Sequence, residues 1–440
     1  MNVGEAAQPS SVNAGGTLEP RALSVNVEGA LEPRPTSSYK ETLAWLYGLQ
    51  RFGIKPGLEN IRRLLAALEI VDLPACVIHV AGTNGKGSVC AMIDSILRAQ
   101  PYRTGLFTSP HLVTFRERIR LTGEMISEDA VAANLTVIRN CIKDWEPHPT
   151  FFEVITALAL KHFSNAKVDI VILETGMGGR LDATNAVPST VSIITPIDFD
   201  HQKWLGHTLR EIAAEKAGII RPEIPVVSAA QRPKTERTIR LRAAECKAPL
   251  RFVRESYQRS PISLRGAHQS QNAAVAIAAI RAAEIEIENR AIVRGLASVE
   301  WPARFQRWDS RTIIDGAHNP AAAGVLARAW REIFGDQRAT LILAILSDKD
   351  LRGICEALAP IADYVLLPKI RSERAVDPKT LGKIAVDLGL KGKVCASLAE
   401  ALIKARARSA PTLITGSLHF AGEALAHLQG QPGAFEECAQ

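Results

Sequence analysis

The sequence predicts an α/β protein with a large domain built on a mostly parallel sheet and a smaller α/β domain at its C-terminus. Three observations predict this class. Strand-like apolar runs alternate with helical patterns along most of the chain, which is typical of parallel sheets covered by helices. A glycine-rich loop joins a predicted strand at 76–81 to a predicted helix at 88–99. The length of 440 residues is too great for one compact core and favours two domains.

Composition and charge narrow the class of protein. Apolar residues make up 47% and charged residues 22% of the chain, as in ordinary globular proteins. The net charge of +7 is spread without a basic block, which favours an ordinary solvated surface over a nucleic-acid patch and would also suit small anionic ligands. The seven cysteines are scattered and form no C-x-x-C pair, so we expect reduced thiols in the cytoplasm. The absence of a long apolar run or a signal-peptide pattern predicts no membrane partner.

The first globular domain is predicted to span residues 38–303. It follows a leader at 1–37 that holds two copies of a short polar pattern and has no helical or strand period, so we expect this leader to be disordered. Further strands of the domain are predicted at 104–108, 168–174 and 190–195, and further helices at 127–143, 151–163 and 209–218.

The second domain is predicted to span residues 304–440. A hinge is expected at 301–305, where Pro302 interrupts the preceding helical pattern. Strands are predicted at 312–314, 340–345, 364–367 and 412–415, and helices near 320–333, 350–358, 378–388 and 397–407.

The loop after the first strand carries the strongest chemical signal. It reads Gly82-Thr83-Asn84-Gly85-Lys86-Gly87-Ser88. Glycines let the backbone curl and direct N–H groups at phosphate oxygens, and the following helix directs the positive end of its dipole at the same anion. Lys86 can neutralise the β- and γ-phosphates of ATP. The loop departs from the usual P-loop string because Gly87 stands between the lysine and the serine.

This loop, together with the Ala81 before it, resembles the ATP loop of the Mur ligase superfamily, and its Gly87-Ser88 ending resembles the branch of folylpolyglutamate synthases and dihydrofolate synthases. The resemblance implies a P-loop domain followed by a Rossmann-like glutamate-ligase domain. It also implies transfer of the ATP γ-phosphate to a carboxylate, after which the amine of L-glutamate attacks the acyl phosphate. The acceptor would be dihydropteroate or a reduced folate, and one enzyme can use both. Members are usually monomers.

Three polar residues that follow predicted strands are candidate metal ligands. They are Ser109, Glu174 and His201, and ligands of open α/β sheets gather at such strand ends. Singly, they are also explained as a turn residue, a helix cap and a structural histidine. The family resemblance implies that they hold Mg²⁺, with two ions expected and a monovalent cation as a further candidate.

Four residues are candidate catalytic groups: Lys86, His201, Lys216 and His318. The segment around Lys216 resembles the family stretch whose lysine is carbamylated, a change that turns a cation into an anion. An exposed helix lysine is the alternative, and burial with a lowered pKa would permit the carbamate. His318 is the candidate partner of the γ-phosphate or of glutamate.

Three segments are candidate contacts for the pteroate part of the acceptor, because they match family positions at that site. They are Thr150, Phe151, Phe152 and Glu153; Leu181, Asp182 and Ala183; and Gly53, Ile54, Lys55 and Pro56. Aromatic rings can stack on a pterin and a carboxylate can pair with its N–H groups. A helix start explains the first segment, and an ordinary loop explains the third, equally well.

The remaining ATP contacts are expected from Asn272, Arg304 and Asp315. Asn272 could bond adenine, Arg304 suits phosphate and Asp315 suits ribose hydroxyls, although a turn also explains Asp315-Gly316. One departure from the family pattern is Thr122, where the family commonly has Asn.

These features predict an ATP-dependent acid–amino-acid ligase of folate biosynthesis. Two alternatives remain open. A peptidoglycan-type Mur ligase would need a further domain for its nucleotide sugar, for which the sequence offers only the leader. A nucleotide-dependent binding module would need neither the metal ligands nor the aromatic segment.

Overall fold

The structure is a computed structural model that describes residues 37–53, 57–70, 73 and 76–437. The predicted leader lies outside the described residues except for Ser37, and so do the predicted acceptor contacts Ile54, Lys55 and Pro56. In the part that is described, no helix combines the length and the apolar character that crossing a membrane requires.

Within the described residues, the first sheet has eight strands. They are β1 (Cys76–Ala81), β2 (Thr104–Phe107), β3 (Ile119–Leu121), β4 (Glu124–Met125), β5 (Ile170–Glu174), β6 (Val191–Ile194), β7 (Val226–Ala229) and β8 (Leu250–Val253). Their spatial order is β4-β3-β2-β5-β1-β6-β7-β8. Pairing is parallel except where β3 joins β2 and β4. The first strand therefore lies inside the sheet, and all six of its residues are buried.

Helices cover both faces of this sheet. They are α1 (Tyr39–Gly48), α2 (Glu59–Ala67), α3 (Lys86–Ala99), α4 (Glu128–Ile142), α5 (Phe151–Asn165), α6 (Gln202–Leu205), α7 (Leu209–Ala217), α8 (Pro233–Glu245), α9 (Ala267–Ala282) and α10 (Asn289–Ser298). Short 3-10 helices lie at Leu49–Phe52, Phe115–Arg118 and Ala183–Ala186. One apolar core joins the sheet to α3, α9 and α10, and another joins its opposite face to α1, α2, α4 and α5.

Among the described residues, the second sheet has six strands. They are β9 (Gln306–Arg307), β10 (Thr312–Ile314), β11 (Ala339–Leu343), β12 (Ala362–Pro368), β13 (Gly392–Cys395) and β14 (Thr412–Thr415), in the order β13-β12-β11-β14-β10-β9. Only β9 pairs antiparallel among them. The accompanying helices are α11 (Pro320–Phe334), α12 (Leu351–Leu358), α13 (Pro378–Asp387), α14 (Leu398–Arg406) and α15 (Leu418–Leu428), with 3-10 helices at Ala359–Ile361 and Pro432–Ala434.

The start of several helices is fixed by a capping side chain. Ser127, Thr150 and Thr208 each accept a hydrogen bond from the third backbone N–H of the helix that follows, and Asn319 does the same for α11. Each cap satisfies an N–H group that the helix itself leaves without a partner. The loops before these helices are thereby held at defined positions on the strand ends.

The predicted α/β class with two mostly parallel sheets is confirmed. One helix start is wrong by two residues, because α3 begins at Lys86 and not at Ser88. Gly85, at φ +89°, makes the left-handed turn that starts the helix early. The predicted elements of the first domain also end at 218, whereas β7, α8, β8, α9 and α10 follow. The domain boundary at 303/304 stays a prediction.

The hairpin between β3 and β4 contains a strained residue. Thr122 and Gly123 form its two-residue loop with φ of +48° and +92°, the type I′ turn in which Asn-Gly is the preferred pair. A β-branched residue is disfavoured at positive φ. We expect Thr122→Asn to raise the free energy of unfolding by about 1 kcal/mol, measured by urea denaturation. Thr122→Val should lower it, and equal stability of the three proteins would contradict the strain.

Candidate active site

A cavity of about 1210 Å³ lies where the carboxyl ends of strands from both sheets meet, which is where open α/β folds bind ligands. Loops after β1, β2, β5 and β6 line one side, and loops after β10, β11 and β14 line the other. The predicted site residues that line it are Gly53, Thr83, Asn84, Gly85, Lys86, Gly87, Ser88, Ser109, Thr150, Phe151, Phe152, Glu153, Glu174, Leu181, Asp182, Ala183, His201, Lys216, Asn272, Arg304, Asp315 and His318. Distant parts of the chain thus share one space.

The loop after β1 is held by its neighbours on two sides. The backbone N–H groups of Thr83 and Asn84 both donate to Pro196 O, at 3.0 and 3.1 Å. The N–H groups free for a phosphate are therefore those of the first turn of α3, which have no partner within the helix. A Cβ atom at Gly85 would lie 2.9 Å from Asn272 Oδ1, so only glycine lets α9 approach the loop this closely.

The departure at Gly87 also has a packing reason. A Cβ atom there would lie 2.8 Å from Nε1 of Trp301, and the indole of Trp301 lies beneath the Arg120 guanidinium. The sequence predicted a hinge at 301–305 but not the close approach of Trp301 to Gly87. The glycine lets the segment between the two sheets lie directly against the start of α3.

Lys86, Glu174 and Ser109 lie together in the wall of the cavity, with Glu174 and Ser109 buried and Lys86 partly exposed. Lys86 Nζ lies 4.0 Å from Glu174 Oε1, and Ser109 N–H donates to Glu174 Oε2 at 3.2 Å. Burial raises the pKa of the Glu174 carboxyl, while Lys86 and the Ser109 N–H oppose that rise. Ser109 Oγ is buried without a hydrogen-bond partner among the described residues, which leaves an oxygen beside a carboxylate for a further ligand.

These residues fit a hard cation. A serine oxygen and a carboxylate are ligand types that Mg²⁺ accepts, and this metal commonly completes its shell with water and phosphate oxygens. His201 lines the same cavity with 39% of its side chain exposed. No group of three or more His, Cys, Asp or Glu side chains able to hold a metal occurs in the described part of the chain, so phosphate and water oxygens would have to supply the remaining ligands.

Lys216 is not the exposed helix lysine that was the alternative. Its side chain is buried, and Nζ donates to Gly82 O in the predicted ATP loop at 2.9 Å. Burial, with a further contribution from the charge of Lys86, lowers the pKa of Lys216 to about 7. A large share of this amine is therefore neutral near physiological pH, as carbamate formation requires.

A buried carboxylate that sequence reasoning missed joins the two sides of the cavity. Asp200 Oδ1 lies 2.6 Å from Lys349 Nζ, and its Oδ2 accepts from Asn319 Nδ2 at 3.2 Å and lies 3.4 Å from His318 Nε2. Burial raises the pKa of Asp200, but His318, His201 and Lys349 outweigh it and hold the pKa well below its usual range. The available signal was the position of Asp200 and Lys349 in charged loops directly after strands.

A pair of amides also spans the cavity. Asn319 Nδ2 donates to Asn84 Oδ1 at 3.0 Å, and Asn84 Nδ2 lies 3.3 Å from Asn319 Oδ1. Asn84 belongs to the predicted ATP loop and Asn319 to the start of α11. These two hydrogen bonds therefore connect this loop of the first sheet directly to the start of α11 beside the second sheet.

Arg304 and Asp315 lie together on the side of the second sheet. The Asp315 carboxylate accepts the N–H groups of Phe305 and Ala317, each at 2.8 Å. Burial lowers the pKa of Arg304, against the opposing charges of Asp315 and Glu174. Arg304 thus lies within electrostatic reach of Glu174 on the first sheet.

Two aromatic residues, Phe151 and Phe152, line one part of the cavity. The ring of Phe152 lies against Gly176, where a Cβ atom would approach Phe152 Cζ to 2.5 Å. Phe151 instead stacks on Tyr47 with ring centroids 5.8 Å apart and lies under the Arg118 guanidinium. Phe152 is the less enclosed ring, and it is the better candidate for stacking on a ligand.

The helix start that was the alternative explanation is present, and Thr150 and Glu153 form a capping box there. Glu153 Oε2 accepts from Thr150 N at 2.7 Å and from Thr150 Oγ1 at 2.8 Å. The capping function and a place in the cavity wall coexist, because both residues are among those that line it. A ligand contact by Glu153 is thus not required to explain its identity.

Comparison with known proteins gives two matching family models. Residues 80–230 match the Mur ligase middle domain, and residues 303–417 match the Mur ligase glutamate ligase domain.

Similar whole proteins are also known. A dihydrofolate synthase/folylpolyglutamate synthase of Bacillus subtilis is 33% identical over 423 residues, which cover 87% of this chain and 97% of that protein. The structure of E. coli FolC in complex with DHPP and ADP has a TM-score of 0.82 and 34% identity, covering 90% of this chain and 99% of that one. A bifunctional folylpolyglutamate synthase/dihydrofolate synthase from Yersinia pestis, complexed with AMPPNP and Mn ion, has a TM-score of 0.82 and 30% identity, with coverage of 90% and 99%.

Proposed function

Since the chain belongs to the folylpolyglutamate synthase/dihydrofolate synthase family of Mur-type ligases, we propose that it adds L-glutamate to dihydropteroate and to the glutamate tail of reduced folates. It is an acid–amino-acid ligase that uses ATP. Of the two solved relatives described above, one contains ADP and DHPP and the other contains AMPPNP and Mn ion. We assign the same nucleotide and a pteroate-type acceptor to this chain.

One observation carries the proposal. The predicted ATP loop and the segment Leu181–Asp182–Ala183 line the same cavity, and Lys86 and Glu174 lie 4.0 Å apart in its wall. Phosphoryl transfer needs the carboxylate and the γ-phosphate to meet within one enclosed space. This arrangement also disfavours a mere binding module, which needs no such meeting point.

The residues of the chain would then act in order. The first turn of α3 and Lys86 hold the ATP phosphates, so that the acceptor carboxylate attacks the γ-phosphorus and ADP leaves. The amine of glutamate attacks the resulting acyl carbon, loses a proton, and phosphate leaves. Lys216, His201 and His318 are the candidate groups that stabilise charge or accept that proton. Exclusion of water by the second domain would protect the acyl phosphate.

Ser109, Glu174 and His201 are our proposed ligands for Mg²⁺, which would screen the negative charge between the phosphates and the acceptor carboxylate when bound. Two ions and a monovalent cation remain our prediction, as does a monomeric enzyme. Asn272, Arg304 and Asp315 are the proposed contacts for the rest of ATP. The six described cysteines are free thiols, which suits the cytoplasm that we propose as its location.

The test is glutamate-dependent ADP release by the purified protein. We expect turnover with ATP, Mg²⁺ and L-glutamate when either dihydropteroate or tetrahydrofolate is the acceptor, and mass spectrometry should show a product heavier by one glutamyl residue. Omission of glutamate and replacement by D-glutamate are the controls. Turnover with tetrahydrofolate alone would limit the activity to chain extension, and no turnover with either acceptor would refute the proposal.

A further inference from the structure

A buried histidine in β1 has no part in the reaction outlined above. His79 lies in the middle of the strand, with 1% of its surface exposed, and pairs in register with Leu173 of β5 and Ser192 of β6. Its neighbours Ile78 and Val80 are apolar. Burying a polar ring in such a place costs free energy unless a hydrogen bond compensates for it, so the partner of this ring is informative.

His79 is the first member of a chain of hydrogen bonds. Its Nε2 lies 2.8 Å from Thr184 Oγ1, and Thr184 Oγ1 lies 2.5 Å from Asp182 Oδ1. The Asp182 carboxylate also accepts the N–H groups of Thr184 at 3.1 Å and of Met177 at 2.9 Å. Every partner of Asp182 in this chain is thus a donor, as an ionised carboxylate requires.

The direction of each proton follows from this arrangement. Because the hydroxyl of Thr184 donates to the carboxylate, its oxygen can only accept from the ring, and His79 must carry its proton on Nε2. The other ring nitrogen, Nδ1, is buried without a hydrogen-bond partner among the described residues, which a lone pair tolerates better than an N–H group does. Burial lowers the pKa of His79 to about 3, so the ring stays neutral.

Asp182, the last member of this row of hydrogen bonds, lies at the side of the cavity that we assign to the acceptor. Asp182 lines it between Leu181 and Ala183, while His79 lies three residues before Gly82, at which the ATP loop begins. We propose that His79 is a positioning residue which, through Thr184, fixes the Asp182 carboxylate for contact with the N–H groups of a pteroate-type acceptor. This inference rests on the proposed function. In this arrangement β1, which precedes the predicted ATP loop, also holds the loop around Asp182 in place.

The test uses four single variants and one double variant. His79→Leu and Thr184→Val each interrupt the row of hydrogen bonds from His79 to Asp182. His79→Gln keeps an N–H donor at a similar distance from Thr184. Thr104→Val is the matched control, since Thr104 Oγ1 donates to Asp94 Oδ1 at the same 2.5 Å in β2 and both residues are buried outside the cavity. The double variant combines His79→Leu with Thr184→Val.

We expect these variants to change the KM for the folate acceptor but not the KM for ATP. The KM for dihydropteroate or tetrahydrofolate should rise about tenfold in His79→Leu and in Thr184→Val, the effect of losing a buried hydrogen bond next to a charged group. The KM for ATP should not change, and His79→Gln should recover most of the loss. The acceptor KM of the double variant should be no higher than that of either single variant, because both changes interrupt the same row of hydrogen bonds. Thr104→Val should keep the KM of the unaltered enzyme.

Several outcomes would overturn the inference. They are an equal rise of both KM values in His79→Leu, the same rise in Thr104→Val, or additive effects in the double variant. A measurement that needs no turnover is ¹⁵N NMR of the histidine rings, in which His79 should be the Nε2–H form at pH 6–8, identified by its loss in His79→Gln; the Nδ1–H form would refute the chain of bonds. An unaltered enzyme without turnover would refute the proposed function instead, and the NMR result would still decide the geometry.

Discussion

Replacing Lys86 with methionine is expected to lower kcat for glutamate-dependent ADP release by about a thousandfold, the upper range for removing one preorganised charge from a transition state. Methionine keeps most of the volume of the lysine stem and removes only the ammonium group. That group lies 4.0 Å from Glu174 Oε1 in a wall where Lys86 is 16% and Glu174 is 6% exposed. Both side chains are largely shielded from solvent, so phosphate and carboxylate would repel each other with less screening once the cation is lost.

A second effect acts in the same direction. Burial already raises the pKa of the Glu174 carboxyl, and Lys86 is the first influence that opposes it. Without the ammonium group the carboxyl is pushed further towards its neutral form, which is a poor ligand for a cation. Glu174→Ala should therefore be about as inactive as Lys86→Met, and a variant with both changes should be no worse than the weaker single one.

The matched control for this experiment is Lys234→Met, because Lys234 is an exposed lysine on α8. It should keep full activity. Circular dichroism and thermal unfolding should show all variants folded, since Lys86 and Glu174 line a cavity and do not pack in an apolar core. Activity of Lys86→Met within threefold of the unaltered enzyme would refute the role assigned to this lysine.

The local parts of this site could be predicted because each is written in a short stretch of sequence. The ATP loop follows a buried strand and precedes a helix, and Glu174 ends an apolar run. The helix start was misplaced because two glycines beside Lys86 weaken the helical pattern, although one of them makes the turn that begins the helix. Short stretches of sequence therefore predicted residues that the structure brings into one cavity, although the start of α3 was wrong by two residues.

The parts that could not be predicted are contacts between distant segments. Lys349 and Asp200 are separated by 149 positions, and His79 and Thr184 by 105. Each alone has the character of an ordinary loop or strand residue. Parallel pairing of β1 with β5 brings His79 close to Thr184, whereas Lys349 and Asp200 meet because loops of the two sheets face each other across the cavity. The alternation of buried strands predicts that polar residues gather at the carboxyl edge of a sheet, but not which residues meet.

Replacing Lys216 with methionine is expected to lower kcat about a hundredfold, the lower range for loss of a charged group at a reacting centre. In the unaltered protein the buried amine, with its pKa of about 7, can attack CO₂, lose one proton and become a carbamate anion. The charge of Lys86 disfavours the ammonium form of Lys216, and the same charge would stabilise the anion. A carbamylated nitrogen retains one N–H, so the bond to Gly82 O at 2.9 Å can persist.

Two measurements separate the carbamate from a simple packing role. Protein equilibrated with ¹³C-bicarbonate should give a carbamate signal by NMR that is absent in Lys216→Met and retained in Lys234→Met. Turnover should also fall as the pH drops below about 7, where the amine of Lys216 becomes protonated. Loss of activity in Lys216→Met without any ¹³C signal in the unaltered protein would leave the lysine important but refute the carbamate.

The pH dependence of the free energy of unfolding is a third, independent measure of the protonation of Lys216. The pKa of Lys216 is lowered from 10.5 to about 7 in the folded protein, so between these pH values the unfolded chain binds more protons. The free energy of unfolding in CO₂-free buffer should therefore rise with pH from about 7 to about 10.5, and this rise should be smaller in Lys216→Met. Added bicarbonate should stabilise only the protein with Lys216, because a ligand that binds the folded state alone favours folding.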